Sequence, residues 1–449
     1  MLRVGIADED TENPTFVQLD TIDLRHVTEL NDRVYSDDGY HVELLEAIRA
    51  QHEQLWPEPS RRPVWKIIVH QVSTADSSRA LDVAFAFHHV ISDGKAALLF
   101  HRDLLKALDS EIGTSLAIKG HILYLKPVTD FPGPFESLVP FTLSWPFFLK
   151  TLWTELIWKN FAPSFLQTTP DPSTLPWAGQ PNTLEPCKTN IRLVQIPSSI
   201  LGPLLVLCRQ QKTTLTPLIH AIILASLSSH LKAPEAPTFA TTTPIALRHM
   251  TDPSFDRNQI HCLVTGFNYA FSTATVATLR DTLSKNKPPS HTAVSSTTDQ
   301  LNCGTAIFTA ARELGTALKV RISTLPADDQ IALLKYVNDT RNLHLSRLGK
   351  RRERTWEVSN IGSIKLSDAR PESKSLPNGT GNEGWRITRS IFTQGAAPIG
   401  AAFDVNVAGV EGEGICITIT WQEGIVEETS MDSVASDLVY WTRRLAETS

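Results

Sequence analysis

The sequence predicts an α/β fold in which two domains pack together, and three observations lead to this prediction. The chain has 449 residues, about three times the roughly 150 that a single hydrophobic core usually serves. Strand-like and helix-like patterns alternate along its first third. Prolines crowd residues 163–186, where they exclude helix and sheet interiors. Two packed domains, or one large pseudo-symmetric body, are therefore expected.

The first domain is predicted from short strands that alternate with helices. Residues 64–69 and 81–89 are apolar runs rich in β-branched and aromatic side chains, which is typical of strands. Residues 40–52 and 95–108 carry apolar side chains at helical spacing. We place this domain at residues 1–165.

The linker and the second domain follow from the same patterns. A proline-rich linker is predicted at residues 166–186, and the second domain at residues 187–449. This domain opens with a strand at residues 189–196, followed by a helix. It closes with strands at residues 402–409 and 415–421, which a Glu-Gly-Glu-Gly turn joins.

The composition excludes several classes of partner. Lys plus Arg number 42 and Asp plus Glu number 48, so the net charge of −6 disfavours a nucleic-acid partner. The five cysteines are odd in number, widely spaced and never form Cys-x-x-Cys, which predicts neither a disulfide framework nor a zinc site. The N-terminus turns acidic at Asp8, unlike a signal peptide. We expect a cytoplasmic protein.

The most apolar stretch, residues 138–158, is interrupted by prolines and charges, so no transmembrane segment is predicted. Within it, residues 145–158 place aromatic and aliphatic side chains near one helical face. Such a helix either packs on the protein or makes weak peripheral contact with a membrane, such as the surface of the ER or of lipid droplets. Packing is favoured because few cations lie on the polar side, and it predicts that Trp145 and Trp153 are largely buried.

The stretch that carries chemistry is a predicted strand that ends in His88 and His89, just before a helix. Successive strand residues face opposite sides, so both histidines cannot point into one pocket from a regular strand. Ser92 or Asp93 can cap the helix, and Gly94 allows a close backbone approach at the sharp turn. We therefore expect one reactive histidine and one structural histidine.

Three interpretations of the two histidines stay open on local grounds. As metal ligands they lack the His spacing or the cysteine partners of common zinc sites. As a pair of core residues, the two histidines would have their polar atoms satisfied within the protein and would take no part in chemistry. As a general base, one imidazole could take a proton from an alcohol or amine while that group attacks a carbonyl carbon.

Residues 88–94 read His-His-Val-Ile-Ser-Asp-Gly, which resembles the His-His-x-x-x-Asp-Gly signature of the CoA-dependent acyltransferase superfamily. This superfamily includes chloramphenicol acetyltransferases, BAHD acyltransferases and condensation domains. Within it, the chain most resembles the fungal alcohol acetyltransferase family. Matching blocks elsewhere cover nearly the whole chain: residues 65–69, 100–105, 244–248, 358–362 and 420–424. The resemblance implies two chloramphenicol-acetyltransferase-like lobes, each a mixed sheet with flanking helices, and a tunnel between them.

The resemblance also implies a role for each residue of the signature. The second histidine, His89, is the general base, and His88 supports it through packing. Asp93 is structural, turned away from the substrate and held by an arginine. Arg248 is the candidate for that arginine, although it could instead be a surface cation.

The co-substrate implied by the resemblance is acetyl-CoA or another acyl-CoA, with no permanently bound cofactor and no metal. Ser359, Asn360 and Gly362 match the Ser-Asn-x-Gly block of the family. In that block, backbone and small side chains could approach the pantetheine arm of CoA. The alternative for these three residues is a turn between two strands.

The expected function is that of an acyl-CoA-dependent O-acyltransferase that acetylates a small or lipophilic alcohol by general-base catalysis. The same fold could instead acylate an amine, such as a sphingoid-like base or a secondary metabolite. The helix and strand that the family has ahead of Leu2 are missing from the sequence, so a catalytically degenerate binding protein is the non-enzymatic alternative. Use of carrier-bound acyl groups is disfavoured because no carrier motif follows. We expect a monomer.

Overall fold

The protein is a mixed α/β structure, as the sequence predicted. The computed structural model describes residues 1–35, 39–73, 79–109, 117–127, 131–153, 174–285, 297–365 and 385–447. In these ranges the strands are β1 Val4–Ala7, β2 Thr15–Gln18, β3 Thr21–Asp23, β4 Thr28–Tyr35, β5 Trp65–Ser73, β6 Arg79–Phe87, β7 Ile118–Lys119, β8 Ile122–Tyr124, β9 Pro176–Trp177, β10 Thr189–Pro197, β11 Thr238–Ala246, β12 Val264–Ala270, β13 Arg354–Ile364, β14 Ala401–Val410 and β15 Gly414–Gln422.

The helices of the described residues lie between and after these strands. They are α1 Leu24–Val27, α2 Tyr40–His52, α3 Gly94–Asp109, α4 Phe135–Leu138, α5 Trp145–Leu152, α6 Ser198–Gln210, α7 Leu215–His230, α8 Thr273–Lys285, α9 Thr297–Thr324, α10 Thr340–Leu345 and α11 Glu428–Glu447. Short 3₁₀ helices occupy Arg248–Met250 and Gln330–Tyr336.

The first part of the chain builds a small sheet behind the histidine pair. Its strands run in the order β4-β5-β6, with β4 parallel to β5 and β5 antiparallel to β6. Helix α3 packs on this sheet, where the ring of Phe100 stacks on that of Phe85 with centroids 4.0 Å apart. The N–H of His88 donates to the carbonyl of Val64 at 2.9 Å. The end of β6 is therefore held in place by the residue that precedes β5.

The second part of the chain builds a larger sheet in the order β10-β15-β14-β13-β11-β12, and β9 pairs with β11. Helices α7, α9 and α11 cover one face of it and share one apolar core with its strands. Every residue of α7 from Pro217 to Ser228 is buried. A helix that carries apolar side chains on all of its faces must be buried between other elements.

The opposite face of the larger sheet is polar. Trp356 of β13 and Phe403 of β14 lie in the core on the helical side. Because side chains alternate along a strand, Glu357, Asp404 and Asn406 point to the other face. Charged and amide side chains thus line the side of the sheet that carries no helix of this core.

Residues 385–400 cross this polar face and reach the first part of the chain. Their backbone accepts a hydrogen bond from the larger sheet. Farther along, Thr393 Oγ1 lies 2.8 Å from His52 Nε2 of α2. Arg389 forms an ion pair with Asp82 of β6 at 3.1 Å. The segment therefore ties the two parts of the molecule together.

Most predicted strands and helices are confirmed, with one correction beside the histidines. Helix α2 has the predicted bounds, and α3, β10, β14 and β15 lie within one residue of theirs. The predicted strand 81–89 ends earlier, at Phe87, so His88 and His89 belong to the turn that follows. The reason is that the chain reverses into α3 here, where the N–H of Ile91 donates to the carbonyl of His88 at 3.1 Å.

The predicted division at residues 165 and 186 stays a prediction. Part of the predicted linker lies outside the described residues, which resume at Thr174. Just beyond that point, β9 pairs in parallel with β11 of the larger sheet.

Helix α5 corrects the prediction that Trp145 and Trp153 are largely buried. Their exposed fractions are 75% and 53%, so the prediction is wrong. The helix is held from one side, where the ring of Phe148 meets Tyr336 with centroids 5.8 Å apart. Periodicity identified an apolar face but not the direction in which it points. Residues 154–158 of the predicted helix lie outside the described residues.

Among the described residues, no helix is both long enough and apolar enough to cross a membrane.

Candidate active site

The two histidines lie in the turn between β6 and α3. Both side chains are exposed, whereas Ile91 and Ser92, which follow them, are fully buried. The buried residues anchor the turn, and the histidines project away from it. A rigid strand and a rigid helix therefore present two imidazoles to the space in front of the small sheet.

Asp93 caps α3 and has no oxygen left for a substrate. Its Oδ1 accepts the N–H of Ala96 at 2.8 Å and Nη2 of Arg248 at 3.0 Å. Its Oδ2 accepts the N–H of Leu263 at 2.8 Å. The residue is only 4% exposed. A buried carboxylate with these three donors holds the start of the helix in place.

Arg248 lies in the 3₁₀ helix after β11 and organises the loop beside the histidines. Besides its ion pair with Asp93, its Nη1 donates to the carbonyls of Arg257 and Gln259 at 3.3 and 2.9 Å. Its Nη2 also donates to the carbonyl of His261 at 2.5 Å. Arg248 is 9% exposed, so it is not a surface cation. It connects α3 to the loop that leads into β12.

His88 and His89 differ in what their ring nitrogens contact. The Nδ1 of His88 accepts the N–H of Val90 at 3.2 Å. Partial burial and then the nearby His89 lower the pKa of His88. The Nδ1 of His89 lies 3.5 Å from Sγ of Cys262. Its Nε2 is therefore the nitrogen of His89 that remains for a substrate.

Cys262 is a neighbour of the site that sequence reasoning missed. Burial raises the pKa of its thiol to about 12, and the charge of Asp93 adds to that effect. The group therefore remains a thiol at neutral pH and can only be a weak hydrogen-bonding partner of His89. A lone cysteine outside any motif gives no signal in the sequence.

The Ser359, Asn360 and Gly362 block lies inside β13, so the alternative of a turn between two strands is wrong. The register of β13 against β14 shifts between Asn360 and Gly362. At this bulge Gly362 has φ +84°, and its N–H donates to Oδ1 of Asn360 at 2.9 Å. Asn360 Nδ2 donates to Thr216 at 3.0 Å. A glycine is needed because other residues rarely adopt this φ.

The bulge is also where the start of α3 meets the larger sheet. Lys95 Nζ donates to the carbonyl of Ile361 at 2.5 Å, and burial lowers the pKa of this amine. A Cβ on Gly94 would stand 2.3 Å from Cγ2 of Ile361. Glycine at position 94 is therefore required by the close approach of the two elements. The structure thus brings the histidine turn and the Ser-Asn-x-Gly block together.

Three hydrogen-bonded polar side chains on the polar face of the larger sheet belong to the surroundings of His89. Gln394 Nε2 donates to Oε1 of Glu357 at 3.2 Å and to Oδ1 of Asn406 at 2.8 Å. Burial raises the pKa of Glu357, while the charges of Arg354 and His89 act in the opposite direction. Sequence reasoning also missed these residues. A possible signal was the presence of charged side chains within otherwise apolar strands.

Metal ligation has little support at the histidines. Within the parts of the chain that the structure describes, no three His, Cys, Asp or Glu side chains are grouped as metal ligands would be. The contacts of His88 and His89 are instead to a backbone N–H and a thiol.

The structure has a mixed α/β fold, paired histidines in the turn after a strand and a buried aspartate that caps the next helix. This is the arrangement implied by the resemblance to CoA-dependent acyltransferases. The sequence model of the alcohol acetyltransferase family matches residues 20–438. The chain belongs to this family, and the protein is an acyltransferase.

Two groups of relatives agree with this assignment. A probable alcohol acetyltransferase of Fusarium pseudograminearum is 28% identical over 98% of this chain and 82% of its own length. The solved structure of the trichothecene 15-O-acetyltransferase TRI3 from Fusarium sporotrichioides has a TM-score of 0.65 at 13% identity, over 99% of this chain and 82% of that one. The first condensation domain of the calcium-dependent antibiotic synthetase has a TM-score of 0.52 at 12% identity, over 99% and 84%. These structures share the chloramphenicol acetyltransferase-like fold of this chain.

Proposed function

We propose that the protein transfers an acetyl group from acetyl-CoA to the hydroxyl of an alcohol, with His89 as the general base. The supporting observation is the construction of the histidine turn. Asp93 is engaged by Arg248 and by backbone, Lys95 is engaged by Ile361, and His89 keeps an exposed ring with Nε2 available. The charged side chains at the start of α3 are thus engaged, whereas His89 has a contact at Nδ1 only, with the thiol of Cys262.

The reaction requires one proton to move twice. His89 Nε2 takes the hydroxyl proton while the alcohol oxygen bonds to the thioester carbonyl carbon. The resulting tetrahedral oxyanion collapses, the carbon–sulfur bond breaks, and the imidazolium returns its proton to the departing CoA thiolate. Ester and CoA–SH are formed, and no covalent acyl-enzyme is needed.

The Ser359, Asn360 and Gly362 block is the proposed contact for the pantetheine arm. The bulge there lacks a side chain at Gly362 and lies next to the start of α3. An extended chain could approach the backbone closely at such a point. Acyl-CoA is a co-substrate in this proposal, and a monomer in the cytoplasm would suffice for the reaction.

Product analysis tests the proposal. The purified protein is incubated with acetyl-CoA and a panel of alcohols, amines and sterols, and the products are identified by mass spectrometry. We expect acetyl esters whose formation releases CoA in equal amount. Exclusive formation of amides would identify an N-acyltransferase. Failure to bind acetyl-CoA in calorimetry would contradict acyl-CoA dependence and favour a binding protein.

A further inference from the structure

A row of polar side chains crosses the polar face of the larger sheet. By strand register, Asn268 of β12 lies beside Thr242 of β11, which lies beside Glu357 of β13. The row continues to Asp404 of β14 and Thr420 of β15. Two carboxyl groups are therefore direct neighbours in the middle of the row. Like charges at adjacent positions of a sheet repel each other and destabilise it.

The side chains of this row differ in whether they have hydrogen-bond partners within the protein. Thr242 Oγ1 donates to Asn268 Oδ1 at 2.7 Å. Glu357 accepts from Gln394. Among the described residues, no side chain hydrogen-bonds to the carboxyl of Asp404, although Asp404 is only 7% exposed. A buried carboxyl without a partner is unfavourable unless something else binds it.

Two arginines lie near the carboxyls. The charge of Arg352 acts on Asp404, and that of Arg354 acts on both Asp404 and Glu357. The donors of Arg352, however, are directed to four backbone carbonyls and to Oε1 of Gln422. Nη1 of Arg354 donates to Oδ1 of Asn268 at 3.3 Å. Neither Glu357 nor Asp404 forms an ion pair within the described part of the chain. Burial, followed by the neighbouring Glu357, raises the pKa of Asp404 well above its usual value.

We propose that Glu357 and Asp404 bind a protonated amine of the acceptor, so that the preferred acceptors are amino alcohols whose hydroxyl is presented to His89. The inference rests on the proposed function. An ammonium group between two adjacent carboxyls attracts both through its charge, donates each N–H that it carries to one of them, and removes their repulsion. The start of α3 meets β13 at Ile361, four residues along the strand from Glu357, and the charge of His89 acts on Glu357. An extended acceptor can therefore span the histidine turn and the carboxyl pair. A protonated amine has no lone pair for attack, and the hydroxyl is therefore the group that is acylated.

The test compares acceptors that differ only in the amine. A series of ω-dimethylamino-1-alkanols of increasing length is assayed against 1-alkanols of matched length, with acetyl-CoA as donor. The tertiary amine cannot form a stable amide, so the product is unambiguous. We expect the best amino alcohol to exceed its matched alkanol by about tenfold or more in kcat/KM. In Asp404→Asn and Glu357→Gln, the ratio of the two kcat/KM values should fall towards one.

The matched control is Asp432→Asn, which changes an exposed carboxylate on α11 that pairs with Arg192 on the helical side of the sheet. This variant should keep the amino alcohol preference. Thermal unfolding of all three variants verifies that they fold. Equal kcat/KM for amino alcohols and alkanols in the wild-type protein would overturn the inference while leaving the acetyltransferase proposal intact.

A binding measurement separates the two proposals. Calorimetry with N,N-dimethylhexylamine, which carries no hydroxyl, is performed in buffers of different ionisation enthalpy. We expect binding that releases protons and that Asp404→Asn abolishes. If this binding is observed while no acceptor is acetylated, the proposed acetyltransferase function is contradicted and the amine site is supported. Absence of binding to the wild-type protein, with esters still formed from alkanols, would contradict the amine site alone.

Discussion

His89 and His88 are neighbours in sequence, yet their surroundings give them different chemistry. The Nδ1 of His88 is engaged by the backbone of its own turn, and the pKa of His88 is lowered. His89 faces Cys262, a thiol that stays protonated. At the residue scale, the two histidines therefore differ in the partner of Nδ1, a backbone N–H for His88 and a thiol for His89.

Replacing each histidine tests this difference. His89→Ala should lower kcat by a factor of about 10² to 10⁴, the usual effect of losing a general base. His88→Ala should have a smaller effect, exerted through the orientation of the turn. Steady-state kinetics with acetyl-CoA checks both variants, and circular dichroism shows whether they fold. A His89→Ala protein that keeps most of its turnover would refute the mechanism.

At the scale of elements, the start of α3 is the point where the two parts of the molecule meet. Asp93 joins it to Arg248 and Leu263, and Lys95 joins it to Ile361. These contacts come from three different segments of the chain. The position of the histidine turn therefore depends on packing between elements as much as on the turn itself.

The ion pair of Asp93 can be separated from its helix cap. Asparagine caps helices as well as aspartate does, so Asp93→Asn removes the charge and keeps the cap. It leaves Arg248 buried without its anion, and with the amide oxygen at the cap it also leaves the N–H of Leu263 without its acceptor. The free energy of unfolding should therefore fall by about 3 kcal/mol, and activity should be reduced. Denaturant unfolding measures the loss. Asp103→Asn, at an exposed position of the same helix, is the control and should change stability little. Lost activity with unchanged stability would instead place Asp93 in the chemistry.

The close approach at Gly94 gives a second test at this scale. In Gly94→Ala the new methyl group would overlap Ile361, and we expect a loss of about 1 to 3 kcal/mol in unfolding free energy. Gly202→Ala is the control, because Gly202 lies in helix α6 with no atom beyond its own helix within 4 Å of a new Cβ. That change should cost clearly less than Gly94→Ala, because the gain in helix propensity offsets the crowding of the new Cβ against the ring of Pro203. In a double-mutant cycle with Ile361→Ala, the double variant should lose less than the sum of the two single losses. Strict additivity of the two changes would show that the predicted overlap does not occur.

At the scale of the whole molecule, three histidines with strongly lowered pKa values are distributed over both parts of the chain. Burial lowers the pKa of His52 and of His101 to about 4, and that of His220 to about 3. Unfolded histidine takes up a proton near pH 6.5. The unfolded state thus binds more protons, and these groups contribute stability at neutral pH that is lost as the pH falls from 6.5 towards 4.

The carboxyls of the proposed amine site change the pH dependence of stability in the direction opposite to that of the three histidines. The pKa of Asp404 is raised, so the folded state binds its proton first, and this group adds stability as the pH falls. We therefore expect Asp404→Asn to be more stable than the wild-type protein at pH 7.5. Its free energy of unfolding should also fall more steeply between pH 7 and pH 5. Urea unfolding at several pH values measures how the free energy of unfolding changes with pH in the wild-type protein and in the variant. A shallower slope in the variant would contradict the raised pKa of Asp404.

How much of the molecule could be predicted depends on the range of the interactions. Local patterns gave the bounds of α2 and α3, and the family resemblance gave Asp93, Arg248 and the Ser-Asn-x-Gly block. The meeting of Glu357 with Asp404 depends on the register between two parallel strands that are far apart in sequence. The outward direction of Trp145 depends on what packs beneath α5. Neither is encoded in a local pattern.

The anchoring of the histidine turn also constrains how the enzyme is made. The ribosome releases His89 early, but Arg248 follows Asp93 by 155 residues, and Ile361 follows Lys95 by 266. Synthesis is directional, and domains that emerge first usually begin to fold first. A nascent chain can therefore form its first sheet and helix while the histidines still lack their supports. Acyl transfer would begin only after β13 has emerged, so a partly synthesised chain would not consume acyl-CoA.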